Sequence, residues 1–455
     1  MKTFGKRGST DQPTEPQQQS RTPRQLSVVE EQQSATHDQR RLLRDRVLKT
    51  IDPSEAATLS TPALARQVES IIHQIADEER LGFSGSEQME LAQELANDMT
   101  GYGPLQSLLS DDTVSDIMVN GPNKVYVERK GKVERVAVRF RDSDHIASIA
   151  QKIAARVGRR IDEASPMVDA RLPDGSRVNV VFPPLAIDSA CISIRKFPNH
   201  RYDLAGMVEN GTMTEAIKNL LEIAARCRLN IIVSGGTGSG KTTMLNALSR
   251  YIDHGERVIT IEDAAELQLQ QPHVIRMETR PPSLEGTGQV TQRDLVWNAL
   301  RMRPDRIIVG EVRGTEAFDM LQAMNTGHDG SISTVHANSA RDALTRIENM
   351  VQMGQVNLPV RAIRNQMVSA LDLIIQVERM RDGQRRIKQI TEVIGLEGDT
   401  ITSNDIAAFE FKGDDAHGNI IGGYTSTQGQ PKFLHRLAYF GLDRRWMEMM
   451  REVVA

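Results

Sequence analysis

Asn230-Ile231-Ile232-Val233-Ser234-Gly235-Gly236-Thr237-Gly238-Ser239-Gly240-Lys241-Thr242-Thr243-Met244-Leu245-Asn246-Ala247-Leu248 reads as a short apolar strand, a glycine-rich turn and the start of a helix. Inside it, Gly235 to Thr242 fill the spacing G-x-x-x-x-G-K-[ST]. Glycine permits backbone angles that a Cβ forbids, so successive N–H groups can turn inward on a polyphosphate at a helix N-terminus. The candidate phosphate contacts are Gly235, Gly236, Thr237, Gly238, Ser239, Gly240, Lys241, Thr242 and Thr243. Lys241 is placed to reach the β/γ-phosphates and the Thr242 hydroxyl to hold Mg²⁺, so ATP and Mg²⁺ are the expected cofactors. A glycine-rich turn with an incidental lysine is the bland alternative, and the strand-then-helix context weighs against it.

Outward from the cradle, a helical pattern from about residue 211 precedes it, and strands at Arg257-Val258-Ile259-Thr260-Ile261 and Arg306-Ile307-Ile308-Val309 follow. That alternation predicts an α/β fold with a parallel sheet, whose ligands bind beyond the carboxyl ends of the strands. Glu262 and Asp263 follow the first of these strands, with Glu266 close behind, and suit Mg²⁺, its waters or a hydrolytic water. An acidic helix cap is the competing reading. Gly310-Glu311 follows the second strand, with Gly310 where a metal-binding Asp is often found and Glu311 as the next carboxylate. His328 and His336 stand eight apart on a polar path. Zinc is one use for such a pair, although no Cys or H-E-x-x-H context supports it, and contact with a γ-phosphate or water is another. Arg171, Arg177 and Arg195 precede the cradle and could stabilise phosphoryl transfer as arginine fingers do; each alone is more often a surface ion pair.

A length of 455 residues predicts two to three domains. Net charge of -4 and a pI near 6.2 give no global reason to expect nucleic acid. Two cysteines, Cys191 and Cys227, cannot build a disulfide framework or a four-thiolate zinc site, and buried free thiols are expected. No apolar run approaches a membrane span and Met1 to Thr10 has no signal core, so a cytoplasmic protein is expected.

Residues 1–39, rich in Gln, Ser, Thr and Pro, read as a disordered arm. Ten Lys/Arg against six Asp/Glu over residues 1–50 fit either a solvated tail or contact with an acidic membrane surface. Residues 40–110 carry helical spacing, through Leu64, Val68, Ile71, Ile72 and Ile75 and then Met89, Leu91, Leu95 and Met99, and form a small helical unit. Residues 111–196 read as an α+β, PAS-like domain with a helix at His145 to Gly158, and 197–210 as a linker. From 211 to 455 comes the cradle domain with a C-terminal extension. Arg379 to Lys388 form a basic hairpin about Asp382-Gly383, and seven of the 18 aromatics lie from Phe409 onward, so the tail packs.

Taken together these residues resemble the secretion/motor ATPases of type II secretion, type IV pili and type IV secretion. Their hallmarks stand as a Walker A motif at 235–242, an Asp box Ile261-Glu262-Asp263-Ala264-Ala265-Glu266, a Walker B-like Ile307-Ile308-Val309-Gly310-Glu311 and a His box at 327–338. Arg171-Leu172-Pro173-Asp174-Gly175-Ser176-Arg177, Ile192-Ser193-Ile194-Arg195-Lys196-Phe197 and Leu300-Arg301-Met302-Arg303-Pro304-Asp305 look most like the CpaF branch, which serves Tad/Flp pili.

The resemblance implies a RecA-like P-loop ATPase domain behind an N-terminal domain, a homo-hexameric ring, and hydrolysis turned into domain rotation. It assigns Glu262 as general base, Glu311 as metal or water ligand, His336 as γ-phosphate sensor and Arg195 as the best N-terminal-domain contact, with Arg171, Arg177 and His328 beside the nucleotide. Thr242, Glu311 and Glu262 become the Mg²⁺ set. The assignment of base between Glu262 and Glu311 stays open. The implied partners are inner-membrane pilus platform proteins, through which the ring sits at the cytoplasmic face of the inner membrane, with no direct nucleic acid. A conjugation-type or nucleic-acid-stimulated translocation ATPase is the alternative, and a nucleotide-binding scaffold without turnover a third.

Overall fold

The computed structural model describes residues 39–455 apart from 53–55, 57, 130, 198–202, 283–285, 355–356, 428 and 454–455. The expected arm therefore lies, but for residue 39, outside the described residues. The chain divides into two compact units, one of residues 1–126, 135–168 and 180–192, the other of residues 127–134, 169–179 and 193–455.

In the first unit a helix over 39–50 precedes the helices Thr61–Glu78 and Gly85–Thr100. Helical spacing puts Leu64, Val68, Ile72 and Ile75 on one face, and that face packs against Leu43, Val47, Leu91 and Leu95. Ser84 and Glu87 cap Gly85–Thr100 reciprocally. Met89 does not join this stripe: it is exposed, and the buried face of its helix is Leu91, Ala92, Leu95 and Ala96. Asp98, at the end of the same helix, accepts from Arg141 at 2.5 Å and Arg44 at 3.2 Å and meets His145 at 3.1 Å. One half-buried carboxylate thus ties three segments together.

Strands β1 (Val114–Val119), β2 (Val125–Arg129), β3 (Lys132–Arg135), β4 (Met167–Arg171), β5 (Arg177–Val181) and β6 (Cys191–Arg195) form a six-stranded sheet in the order β3-β2-β1-β6-β5-β4. Alternation along its strands buries Val178 with Val180 and Ile192 with Ile194. The helix Ser143–Arg156 buries Ile146, Ile149 and Ile153. Between 197 and 210, read from sequence as linker alone, the helix Leu204–Glu209 forms because the Asp203 carboxylate accepts the Gly206 N–H.

The second unit holds a nine-stranded sheet of β7 (Ile231–Gly235), β8 (Val258–Glu262), β9 (Val274–Glu278), β10 (Arg306–Val312), β11 (Ile332–Val335), β12 (Leu373–Arg379), β13 (Arg385–Glu397), β14 (Thr400–Asp414) and β15 (Ile420–Thr425). Their order is β15-β14-β13-β12-β7-β11-β10-β8-β9. From β12 to β9 the strands are parallel, and β12 to β15 run as an antiparallel extension. Ile231, Val233 and Val258 point into one core with the helices Glu215–Arg226 and Lys241–Ser249, whereas Ile232, Ile259 and Ile261 point into another with Glu316–Asn325 and Ala340–Met353. Helices on both faces explain why these strands are apolar without interruption.

The expected strand at 306–309 runs on to Val312, so Glu311 lies inside β10; Glu262 likewise closes β8. At the other, amino edge of the sheet, fully buried Arg306 forks onto Glu256 and donates to the carbonyls of Ala225 at 2.9 Å and Gly330 at 3.3 Å. Glu256→Ala strands that guanidinium and is expected to destabilise the second unit by about 3–5 kcal/mol. The readout is the denaturation midpoint followed by fluorescence of Trp446, which is 1% exposed in this core. The double variant Glu256→Leu/Arg306→Met should lose less than Glu256→Ala, since it leaves no buried charge unpaired.

Candidate nucleotide site

The cradle leaves the sheet at the carboxyl end of β7 and closes where the helix Lys241–Ser249 begins. Gly240 caps that helix with φ of 97°, an angle a side chain resists. Lys241 Nζ donates to the loop's own carbonyls, Gly235 at 3.0 Å and Gly236 at 2.9 Å. Burial holds its ammonium below the usual range, with Glu311 pulling upward and Arg313 adding to the depression. Ser239 Oγ is buried with no hydrogen-bond partner among the described residues. A half-buried amine bonded, among the described residues, only to its own loop, beside an orphaned hydroxyl, fits a polyphosphate. Thr242 and Thr243 are half-buried on the first turn of the helix.

Parallel pairing delivers the carboxylates to the same edge. Val309 of β10 is level with Ile261 of β8, which sets Gly310 beside Glu262. The fit is close: a Cβ on Gly310 would stand 2.9 Å from Glu262 Cγ. This is a packing reason for glycine where an Asp is common. Between Val309 and Val312, β10 takes three steps while β11 takes two, from Ser333 to Val335. Both valines consequently enter the same core, and the extra residue turns Glu311 off that face. Glu311 then pairs with Arg313 at 2.7 Å, and Arg313 reaches Asp263 at 3.7 Å. Glu316 fixes this turn by accepting the N–H groups of Arg313 at 2.6 Å and Gly314 at 2.8 Å.

Glu262 is 3% exposed. One oxygen accepts the N–H groups of Glu266 at 2.6 Å and Leu267 at 2.8 Å, and the other is buried without a partner among the described residues. Burial lifts its pKa to about 7 against the pull of those two amides. It is therefore no helix cap but the staple of a loop, and it titrates near neutrality.

His336 directly follows β11 and belongs to this edge: burial and then the charge on Lys241 push it below the ordinary imidazole range, while Glu311 opposes them. It is a neutral imidazole at physiological pH. His328 does not join it. It precedes β11 and rests on the Ala323 carbonyl at 3.2 Å, at the opposite end of a four-residue strand that spans about 13 Å. The structure thus sets His328 apart from the edge that holds Lys241 and His336, and the two imidazoles stand too far apart to share a metal ion. Their eight-residue spacing straddles a strand, which takes them to opposite edges. Arg171 pairs with Glu278 at 3.2 Å and Arg177 with Asp169 at 3.6 Å, while Arg195 ends β6 with its side chain exposed.

Sequence reading missed Arg313, Glu316 and Arg385. Arg313 stands two residues after Glu311, and that spacing was a usable signal. Arg385, whose Nε donates to the Gly238 carbonyl at 2.9 Å, is 147 residues from the cradle, and nothing local announces it. A groove of about 1450 Å³, lined by Arg228, Glu256, Asp305 and Asp329 among others, lies at the amino edge of the sheet and takes no part in this geometry.

A parallel sheet with a glycine cradle after one strand and carboxylates at the ends of its neighbours defines the class of P-loop nucleotide-binding proteins. Residues 98–400 match the family described as type II/IV secretion system protein, and the chain belongs to that family. It is similar to a putative conjugal transfer protein of Mycobacterium tuberculosis, 39% identical over 310 residues that cover 67% of this chain and 88% of the relative. The VirB11 type IV secretion system protein of Bartonella quintana is 30% identical over 331 residues, 64% of this chain and 92% of its own length. Among solved structures, the VirB11 ATPase of Brucella suis, crystallised with sulphate, aligns over 63% of this chain and 94% of its own with 30% identity and a TM-score of 0.35.

The raised Glu262 pKa makes stability depend on pH. Between about 4.5, its ordinary value, and about 7, the folded state keeps a proton that the unfolded state has released, so stability falls as pH rises. Melting temperature measured from pH 4 to 8 should fall less steeply for Glu262→Gln than for the wild type across that window.

Proposed function

We propose that the protein is a Mg²⁺-dependent ATPase that works as a homo-hexameric motor at the cytoplasmic face of an inner membrane, coupling hydrolysis to movement of substrate through a membrane platform. The observation that carries this reading is the meeting of Lys241, Glu262, Glu311 and His336 at one sheet edge around an anion cradle. Hard oxygen donors there suit Mg²⁺, which when bound neutralises charge on the β- and γ-phosphate oxygens. The Thr242 hydroxyl would hold it directly, with Glu311 on one of its waters and Glu262 behind them.

Lys241 exchanges two loop carbonyls for phosphate oxygens, making charge-assisted bonds in place of neutral ones. Glu311, re-aimed by the bulge and a quarter exposed, is the carboxylate able to orient and deprotonate water. Glu262 has the pKa of a base, but one oxygen is committed to two amides and the other is closed from water, so it positions the loop after β8. His336, uncharged, donates to the γ-phosphate. Arg195, Arg171 and Arg177 add positive charge to the phosphoryl group in flight.

Within the family, the sequence segments resembling the CpaF branch favour Tad/Flp-type pilin insertion or extraction. The names of the mycobacterial and Bartonella relatives favour a second reading, conjugation or type IV secretion. ATPase stimulation by single-stranded DNA that fades with salt would select the nucleic-acid form of that second reading.

Lys241→Ala should abolish Mg²⁺-dependent hydrolysis, and turnover at the wild-type rate would sink the ATPase reading. Glu311→Gln should lower kcat at least a hundredfold while ADP binding persists, and Glu262→Gln should lower it less. The reverse ranking would return the base role to Glu262.

A further inference from the structure

The β12–β13 hairpin carries five basic side chains from Arg379 to Lys388, and four are matched locally. Arg381 pairs with Asp414, Arg386 with Asp382 at 2.8 Å and Lys388 with Glu378 at 2.6 Å, while Arg379 donates to the Gly131 carbonyl at 2.7 Å. Arg385 is different. It is exposed, has no carboxylate partner among the described residues, and spends its Nε on the carbonyl of Gly238 in the middle of the cradle, 2.9 Å away. Its Cδ lies over Gly240, where a Cβ would stand 3.3 Å from it.

The sheet fixes this approach. Val377 of β12 is paired with Gly235, the first cradle residue, and a Cβ on Gly235 would lie 2.4 Å from the Val377 carbonyl. Arg385 opposes Arg379 on the returning strand, two residues past Val377. One hairpin therefore abuts the cradle at its entry and again at its crown.

We propose that Arg385 is a positioning residue for the nucleotide, acting through the peptide between Gly238 and Ser239. In a trans peptide the C=O and the following N–H point in opposite directions. With the carbonyl held outward by Arg385, the Ser239 N–H is directed across the loop, where among the described residues it meets only the Gly236 carbonyl at 3.4 Å. That is a long bond, readily given up to a phosphate oxygen. The unmatched guanidinium also leaves one positive charge on the outer wall of the cradle, which favours a polyanion. The expected ligand is a nucleoside polyphosphate, so this assignment rests on the ATPase reading above. Because the loop amides hold ground state and transition state alike, the loss should fall on KM and not on kcat.

Full-length wild type, Arg385→Met, Arg385→Lys and Lys241→Ala are compared for binding of a fluorescent methylanthraniloyl-ADP, for ATPase kinetics and for melting temperature. Arg385→Met should raise the dissociation constant and the ATP KM about tenfold, the scale of one hydrogen bond to a charged group, with kcat within about threefold and melting unchanged. Arg385→Lys, which keeps a charged donor, should recover most of the loss, whereas a merely structural role would show in melting and not in this rescue. Should Arg385→Met fail to fold, Arg385→Gln carries the same comparison. Wild-type binding by Arg385→Met, or a lysine variant no better than the methionine, overturns the assignment of Arg385 alone. A wild type that binds no nucleotide overturns the parent reading instead.

Discussion

The site depends on the backbone ladder that β7 shares with a neighbour on each side. Ile231 to Ser234 pair with Ile332 to Val335 of β11, and Ile231 to Gly235 pair with Leu373 to Val377 of β12. This register sets the height at which the cradle leaves the sheet, and it sets the heights of His336, which follows Val335, and of the hairpin that follows Val377. A slip of one residue in either ladder would turn every side chain of the moved strand to the opposite face. The parallel strands bury apolar side chains on both faces, in two separate cores, and such a slip would exchange the residues filled into each. Burial thus enforces the same register that chemistry requires.

Within that frame two carboxylates of similar sequence context are driven apart in character. Glu262 continues β8 in regular alternation, shares a face with Val258 and Thr260, and is shut inside with two amides on one oxygen. Glu311 departs from alternation through the extra residue in β10 and emerges beside Arg313. The bare Cα of Gly310 makes both possible, since it admits Glu262 on one side and takes part in the bulge that re-aims Glu311 on the other. An enclosed carboxyl with a raised pKa next to a paired, accessible carboxylate is the environmental split by which one kind of side chain serves two roles.

What was legible in the sequence follows the reach of each interaction. The cradle, its flanking strand and helix, and the carboxylates after Ile261 and Val309 are local patterns, and local patterns survive the absence of coordinates. The bulge was hidden because Val309-Gly310-Glu311-Val312 reads equally as a strand that ends and as one that continues with an extra residue. His328 and His336 illustrate the limit from the other side: both lie in one polar stretch, yet four intervening strand residues carry them to opposite edges. Arg385 could not be read at all, because its neighbour in the sheet is set by strand order and not by chain order. The amino-edge pair Arg306 and Glu256 is another case in which only the parallel register supplies the partner.

The cradle's internal bonds differ in what a ligand asks of them. Lys241 must leave two carbonyls, and the Ser239 N–H must leave the long bond to Gly236. Both are bonds made with the loop's own backbone, so each new bond to phosphate is offset by the loss of an internal one, and net affinity comes from replacing neutral acceptors with charged ones. The Arg385 to Gly238 bond lies on the outside of the same loop and has no part in that exchange. It can persist with the cradle empty or filled, and an interaction that persists adds its orienting effect without any opposing loss. Preorganisation of this kind has to come from an element that does not move with the loop, and the hairpin, carried on β12 beside β7, is anchored in the same ladder that places the cradle.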